Sequence, residues 1–358
     1  MVPADDVSAL LQPRSGRLAT VSAPPDELPA PTRPRVRPWR LAFSLLVVGC
    51  VAVGVLPDLL GLDHRTPFAQ LVAFRPALLA ALAALVVLAA VVAGIRRRGW
   101  TLAAGLLAVA LVGGLLVLPR ALPGIDVPEP DAPSGPTLTV LSFNAYEGRA
   151  DVDAVAALVR SSRPDLVALP EAAGRFRDRL APLLPEYRFT ASQDRGPDVQ
   201  GVTAAVRADF GDVTVQVDRT TTATPSVELT GGALGDLRFV AFHADAPVPG
   251  DVPQWRADLT TLDRWCANRE IGPAIVAGDF NATLDHSIFR DGVTGCADAA
   301  AETGEGLVAT WPTRFPRWFG VQIDHVLVTG GITAENTTVH DIPGSDHRAV
   351  VTRLRLPV

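Results

Sequence analysis

Residues 274–283 read AIVAGDFNAT: an apolar run from Ala274 to Ala277, then Gly278-Asp279-Phe280-Asn281. The short unbroken apolar run predicts a buried strand, and the glycine ends it with polar side chains at its edge. The same arrangement recurs through the C-terminal part of the chain. Thr137–Ala145 (TLTVLSFNA) alternates like a strand and reaches Asn144 near its end, and Leu166–Leu169 is a short buried-type strand before Glu171. Leu237–Ala244 carries His243 at its end, Gln322–Val328 contains Asp324-His325, and Ala349–Leu356 follows Ser345-Asp346-His347. Gly201–Arg207 and Val213–Val217 complete the predicted strands. A helix is predicted over Val152–Ser161, from the stripe Val152, Val155, Ala156 and Val159, and ends at Arg163-Pro164. A second is predicted over Pro253–Asn268, with Pro253 in its first turn. There is no internal repeat. Many strands, few helices and a βαβ-like opening predict an α/β layered domain with packed sheets, of roughly 220 residues.

Each polar group follows a hydrophobic run that buries its neighbours. Asn144, Glu171, His243, Asp279, Asn281, Asp324, Asp346 and His347 are therefore expected at the edge of one core, facing one cleft. Carboxylates and amides in such a place suit a hard divalent cation, because Mg²⁺ prefers oxygen ligands and keeps several waters. A histidine beside an aspartate suits proton transfer or charge stabilisation, with the aspartate fixing the ring tautomer. Together these are the parts needed to hydrolyse a phosphate ester. Any one of them has a blander reading. A single aspartate after a strand is ordinarily a turn or cap residue, and a lone histidine a satisfied core group. The ordered set carries the functional reading.

The motifs run SFNAY, ALPEA, FHADAP, AGDFNAT, ATWP, QIDHVLV and SDHRAV, from about Leu138 to Leu356. In this order they resemble the endonuclease/exonuclease/phosphatase family, which includes DNase I-like nucleases, neutral sphingomyelinases and inositol polyphosphate phosphatases. The resemblance implies a four-layered α/β sandwich of two packed β-sheets, with the site at one end of them. It implies Glu171 as the principal Mg²⁺ ligand (Mn²⁺ as the alternative ion), Asn144 helping to hold metal and phosphate, and Asp346 beside the metal. By the same resemblance Asp279 activates or positions the attacking water and Asn281 binds a phosphate oxygen. His347 contacts the scissile phosphate with Asp324 orienting it, and His243 is the family's second histidine. Pro170 departs from the pattern, since the family often has glutamine just before the metal-binding glutamate. His325 is expected to be structural, because neighbours in a strand point to opposite faces. His64, His286 and His340 have no partner legible in the sequence. Trp311, between Thr310 and Pro312, reads either as cleft lining or as core packing. The sequons at Asn281 and Asn336 read as chance.

The N-terminal part has a different texture. Leu41–Leu62, Pro76–Ile95 and Gly99–Pro119 are uncharged or nearly so, the first interrupted by Asp58. A hydrocarbon core about 30 Å thick takes about 20 apolar residues to span, and a soluble helix would keep a polar stripe that these runs lack. Three transmembrane helices are predicted over 41–62, 76–95 and 99–119. Arg33, Arg35, Arg37 and Arg40 precede the first, and Arg96, Arg97 and Arg98 separate the second from the third. Arginine on the cytoplasmic side then puts the N-terminus inside and everything after Arg120 outside. Residues 1–40 are polar and Pro-rich and are expected to be a disordered cytoplasmic tail. Residues 120–136 are expected to be a short acidic linker, and 137–358 the catalytic domain.

The chain has 358 residues, a formal net charge of −6 and a mean hydropathy of +0.25. Residues 1–136 carry +3 and residues 137–358 carry −9, with arginine the only strong base. An acidic domain argues against a broad nucleic-acid-binding surface, which needs clustered cations. Arg149, Arg175, Arg314 and Arg317 leave a narrow nucleic-acid groove open as an alternative to phospholipid headgroups. Cys50, Cys266 and Cys296 have no zinc spacing, and the spacing of Cys266 and Cys296 leaves their pairing undecided. The runner-up to a membrane-anchored phosphoesterase is a non-catalytic binding or scaffolding domain with the same fold. Many buried carboxylates without a cation are costly, which favours the enzyme.

Overall fold

The computed structural model of the protein describes residues 38–124, 135–219 and 222–357. Most of the expected N-terminal tail and of the expected linker lies outside them. The apolar runs form three helices, α1 (Pro38–Val55), α3 (Arg75–Arg96) and α4 (Trp100–Val117), with the short α2 (Phe68–Ala73) between the first two. All three long helices have the length and apolarity to cross a membrane. The first stops at Val55, short of Leu62, because Leu56-Pro57 starts a separate short turn that turns Asp58 inward.

The remaining chain folds as two six-stranded sheets. The first contains β1 (Thr137–Ser142), β2 (Leu166–Pro170), β3 (Tyr187–Ala191) and β4 (Val202–Arg207), with β11 (Thr333–Asp341) and β12 (Arg348–Arg355), in the order β11-β12-β1-β2-β4-β3. The second contains β5 (Val213–Asp218), β6 (Ser226–Gly231), β7 (Arg238–His243), β8 (Ala274–Asp279), β9 (Ala297–Asp298) and β10 (Asp324–Val328), in the order β5-β6-β7-β8-β10-β9. One core lies between the sheets, where Val140, Leu166, Phe239, Ile275 and Val326 are buried. Helices α5 (Val152–Ser162) and α6 (Gly174–Leu180) cover the outer face of the first sheet. Helices α7 (Val252–Thr260), α8 (Asp263–Cys266) and α9 (Ser287–Gly292) cover the second, and the short α10 (Ala299–Glu302) packs beside β11. Four layers, helix–sheet–sheet–helix, result, as the resemblance implies.

Strands β3, β6, β9 and β11 are absent from the sequence reading. Three of them lie at sheet edges, where one face alone needs burying; β11 (TAENTTVHD) is mostly polar. β6 is internal but carries Glu228, buried and paired with Arg238 and with the indole of Trp265. The helix predicted over Pro253–Asn268 is split. Thr261 closes α7 on the Asp258 carbonyl, and a new turn draws Trp265 and Cys266 onto the sheet, where Cys266 is bonded to Cys296.

The apolar helices are not merely tethered to this domain. Arg75, fully buried at the head of α3, donates to Asp58, to the Val55 carbonyl (3.0 Å) and to Asp285 (2.8 Å). Arg120 reaches Asp285 at 2.6 Å and Arg290 reaches Asp58 at 2.8 Å. Asp63 accepts from the backbone and hydroxyl of Ser287, and His286 bonds the Ala69 carbonyl at 2.8 Å. The buried Arg75, Arg120, Asp58 and Asp285 each have an opposite charge as partner, as burial requires, while Asp63 is satisfied by the Ser287 hydrogen bonds.

Candidate active site

Topology brings the polar ends together. β1 runs parallel to β2 and β7 parallel to β8, so Asn144, Glu171, His243 and Asp279 stand at or just past like ends. β10 is antiparallel to β8, and β12 to β1, so Asp324 and His347 enter at that same end. His243, Asp279 and Asp324 are in register across β7, β8 and β10. Gly278 is needed for this approach: a Cβ there would lie 1.8 Å from the Phe242 carbonyl oxygen. His325, in register with Gly278, points to the other face. It bonds Asp298 (2.7 Å) and the Ala282 carbonyl (2.9 Å), a structural role.

The Asn144 side chain ties the two sheets together. Its amide donates to Glu171 Oε1 at 3.0 Å and to Asp279 Oδ2 at 2.9 Å, and its oxygen accepts from the backbone of Tyr146 at 2.8 Å. The second Glu171 oxygen accepts from the Glu147 backbone at 2.7 Å. Four of the six non-glycine residues with left-handed φ among the described residues, Tyr146, Glu147, Glu171 and Asn281, lie in these loops, and such strain persists where the surroundings over-determine it. Asn281 donates its backbone N–H to Asp279 at 2.8 Å and its amide to the Ala244 carbonyl at 3.0 Å.

Behind these groups His347 Nδ1 bonds Asp324 Oδ2 at 2.8 Å, and His347 Nε2 stands 3.7 Å from Asp279 Oδ2. Burial works against a charge on His347, but the Asp324 and Asp279 carboxylates and the Asp324 hydrogen bond outweigh it, and its pKa is pushed up to about 10. Burial, then the neighbouring Asp324, raises Asp279 to about 7. His243 Nε2 is 4.0 Å from both Glu171 and Asp279, its Nδ1 is unpartnered, and burial brings its pKa down to about 4. The site thus holds one charged imidazole and one neutral one.

These groups open into a cleft of about 730 Å³. Its carboxylates are Glu147, Glu171, Asp245, Asp279 and Asp346, and no arginine among the described residues lines it. Of the arginines considered for a nucleic-acid groove, Arg149 stands at the rim and the other three are elsewhere. Arg149 pairs with Glu147 and stacks over Tyr146 at the rim, Arg175 lies 3.9 Å from Asp198, Arg317 pairs with Asp341, and Arg314 lies over Phe315. Trp311 lines the cleft and donates its indole N–H to Asp346 at 3.0 Å. The other Asp346 oxygen is buried without a hydrogen-bond partner and lies 4.0 Å from His347 Nε2. Several carboxylates in one cleft, one of them with an oxygen free of hydrogen bonds, suit a hard divalent cation. Asp279, Asp324 and His347 also offer ligand atoms close enough together to clasp an ion, since the bond from His347 Nδ1 to Asp324 Oδ2 does not engage His347 Nε2 or Asp324 Oδ1.

Two supports are missing from the sequence reading. Ser345 donates to the Asn144 carbonyl at 2.9 Å and accepts from the His347 backbone at 3.0 Å, so it locks the strand end to the histidine turn. Its place in the SDH motif was the available signal. The Glu147 backbone bond to Glu171 left no signal, since any residue supplies an N–H.

The Endonuclease/Exonuclease/phosphatase family profile matches residues 141–347. The chain is similar to a crystal structure of humanized D. rerio TDP2, with a TM-score of 0.51 and 16% identity over 62% of this chain and 99% of that one. It is similar to the endonuclease/exonuclease/phosphatase from Beutenbergia cavernae, with a TM-score of 0.45 and 21% identity over 62% and 72% of the two chains. A mannosyl-6-phosphatase from Bacteroides thetaiotaomicron gives a TM-score of 0.45 and 16% identity over 61% and 99%. At such identities the likeness is one of fold. No protein of curated function matches the chain. With the matched segment running from β1 to His347 and so spanning every residue of the cleft, the chain belongs to the endonuclease/exonuclease/phosphatase family of hydrolases acting on phosphate ester bonds.

Proposed function

We propose that the protein is a membrane-anchored, Mg²⁺-dependent phosphoesterase whose substrate is a phosphate ester presented at the membrane surface. The single observation that carries this reading is the charge of the cleft: five carboxylates, of which Glu147 alone pairs with an arginine at the rim, and no arginine in the lining among the described residues. A phosphate anion has no reason to enter such a cleft unless a cation offsets the carboxylates. Glu171 and Asp346, with Asn144 between the sheets, are the residues to hold it. When bound, a divalent cation polarises a phosphoryl oxygen and neutralises charge developing on it.

The chain's own groups supply the rest. His347 keeps its proton, so its Nε2–H donates to a phosphate oxygen while Asp324 fixes Nδ1. Asp279 orients the attacking water and accepts its proton, held in place by the Asn144 amide and the Asn281 backbone N–H. The Asn281 side chain binds a phosphate oxygen on exchanging its bond to Ala244, and His243 offers a neutral imidazole at the same wall. A −9 domain charge and an arginine-free cleft favour a lipid phosphate ester over a nucleic-acid polyanion.

The topology belongs to the same proposal: N-terminus in the cytoplasm, catalytic domain outside. The arginine clusters support it, and so does the Cys266–Cys296 disulfide, which persists in oxidising compartments. The test uses the full chain in detergent with bis-p-nitrophenyl phosphate, phosphomonoesters and phospholipids, in Mg²⁺, Mn²⁺ or EDTA. Metal-dependent turnover is expected. Its absence on every ester, from folded protein, would leave the scaffolding alternative.

A further inference from the structure

Between Trp311 and Val321 the chain leaves the body of the domain as a short excursion. Reciprocal backbone bonds between these two residues close its base, at 3.0 and 2.8 Å. The buried Arg348 holds it from beneath, donating to the carbonyls of Ala309 (3.1 Å), Thr313 (3.2 Å) and Phe315 (2.6 Å). The tip is thus fixed in place, and yet it is apolar at its surface. Trp318 is 82% exposed, more than any other large apolar side chain among the described residues, and Phe319 beside it is 38% exposed. Outside the apolar helices and their connections, Val199, Val215 and Val248 are the other large apolar side chains left open. Phe315 packs edge-on against Phe319, and Arg314 lies over Phe315 with no ion pair among the described residues.

The place of this tip matters as much as its composition. Gly320, Val321 and Gln322, which end the excursion, share a small cavity with Ala73, Pro76 and Arg120. Those residues mark where α3 begins and where the chain leaves α4, at the level of the apolar helices' ends. Trp39 and Trp100 stand at the opposite ends of α1 and α4, half or more exposed. Tryptophan at both levels is the pattern of an interfacial aromatic belt.

We propose that the Arg314–Phe319 tip is a membrane-interface anchor: Trp318 and Phe319 sit at the boundary of headgroups and acyl chains, and Arg314 meets anionic lipid phosphates. The occupant is the bilayer that the apolar helices span, and the inference rests on that reading of them. A rigid apolar tip beside the ends of spanning helices gains by leaving water, and a nearby guanidinium gains by meeting anionic headgroups. The base of the excursion is also a wall of the cleft, through Trp311 and its bond to Asp346. The anchor therefore fixes the cleft at headgroup level, where phosphate esters of lipids lie.

The test is tryptophan fluorescence of the full chain in nanodiscs of brominated phosphatidylcholine, with and without phosphatidylglycerol. The Trp318 signal is the difference between wild type and Trp318→Phe, a change at an exposed position that leaves the fold intact. It is expected to be blue-shifted, shielded from acrylamide and quenched about twofold by the brominated lipid, as for an interfacial indole. Phosphatidylglycerol should deepen the quenching in wild type and not in Arg314→Gln; equal quenching in both removes the assignment of Arg314. A Trp318 signal open to acrylamide and indifferent to brominated lipid overturns the anchor. If single-stranded oligonucleotide quenches it instead, the tip is a base-stacking platform and the proposal fails. The emission left in Trp318→Phe includes Trp39 and Trp100 and reports on the spans. If that emission is unquenched, the helices do not span and the anchor falls with them; if it is quenched and the Trp318 signal is not, the anchor alone falls.

Discussion

Arg75 at the head of α3 and Asp285 in the loop after β8 are 2.8 Å apart, buried, and separated by 210 residues of chain. Asp285 also takes Arg120 at 2.6 Å and lies four residues beyond Asn281 of the cleft, so one loop serves both the docking and the chemistry. Asp285→Ala would leave two buried guanidinium groups without their shared carboxylate. The expected cost is about 3–5 kcal/mol, against little or no change for removing the fully exposed Asp212 beside Arg188. Melting temperatures in detergent check it, and similar values for the two variants would sink the docking account.

Glu171→Gln keeps the side chain's shape and removes one charge from the cleft. Metal affinity and turnover should both fall, with excess Mg²⁺ partly restoring the rate. Asp279→Asn should lower turnover with a much smaller change in metal affinity. Calorimetric Mg²⁺ titration beside metal-dependent kinetics separates the two. Folded Asp279→Asn protein with near-wild-type turnover would falsify its role at the attacking water.

His347→Ala removes a charged donor at the phosphate, an effect of about 3–4 kcal/mol by analogy with lost oxyanion donors. Asp324→Asn should cost less at neutral pH. It also removes a carboxylate that holds the His347 proton, which wild type keeps to about pH 10. The alkaline limb of the pH–rate profile should therefore move toward neutrality in Asp324→Asn. A profile unchanged in shape would show that Asp324 does not govern that proton.

His286 is buried where the helices dock, and its Nδ1 accepts from the Thr283 backbone at 2.9 Å, so Nε2 carries the proton given to Ala69. Burial lowers its pKa below the ordinary value despite the nearby Asp285 and Asp63. The sign follows from linkage: with the folded pKa depressed, stability is full above the unfolded pKa of about 6.5 and is lost as pH falls through the folded value. Wild type should lose more melting temperature between neutral and mildly acidic pH than His286→Gln. Parallel pH curves for the two proteins would exclude this origin.

Cys266 and Cys296 close a loop of 30 residues on the outer face of the second sheet. Reduction should destabilise the protein by about 3 kcal/mol. A reporter active only outside the cytoplasm, fused after Arg355, should give signal. Signal from a cytoplasm-only reporter at that point would overturn the proposed orientation.

The sequence by itself determined most of the local elements and which polar residues bound them. Apolar runs long enough to span, strands closed by Asn144, Glu171, His243 and Asp279, the strand opened by Asp324, and the S-D-H turn before β12 are all local patterns, set by hydrophobic period and by which residues bound it. Edge strands such as β11 stayed hidden because one buried face leaves a mostly polar string. Only the tertiary structure decided what meets what. The Asn144 bridge between sheets, the Trp311–Asp346 bond, the Cys266–Cys296 pairing, and the buried Asp58, Arg75, Arg120 and Asp285 with the half-buried Arg290 join residues far apart in the chain. A buried charge reads in sequence like any exposed one; its partner is chosen by packing, and packing is a property of the whole fold.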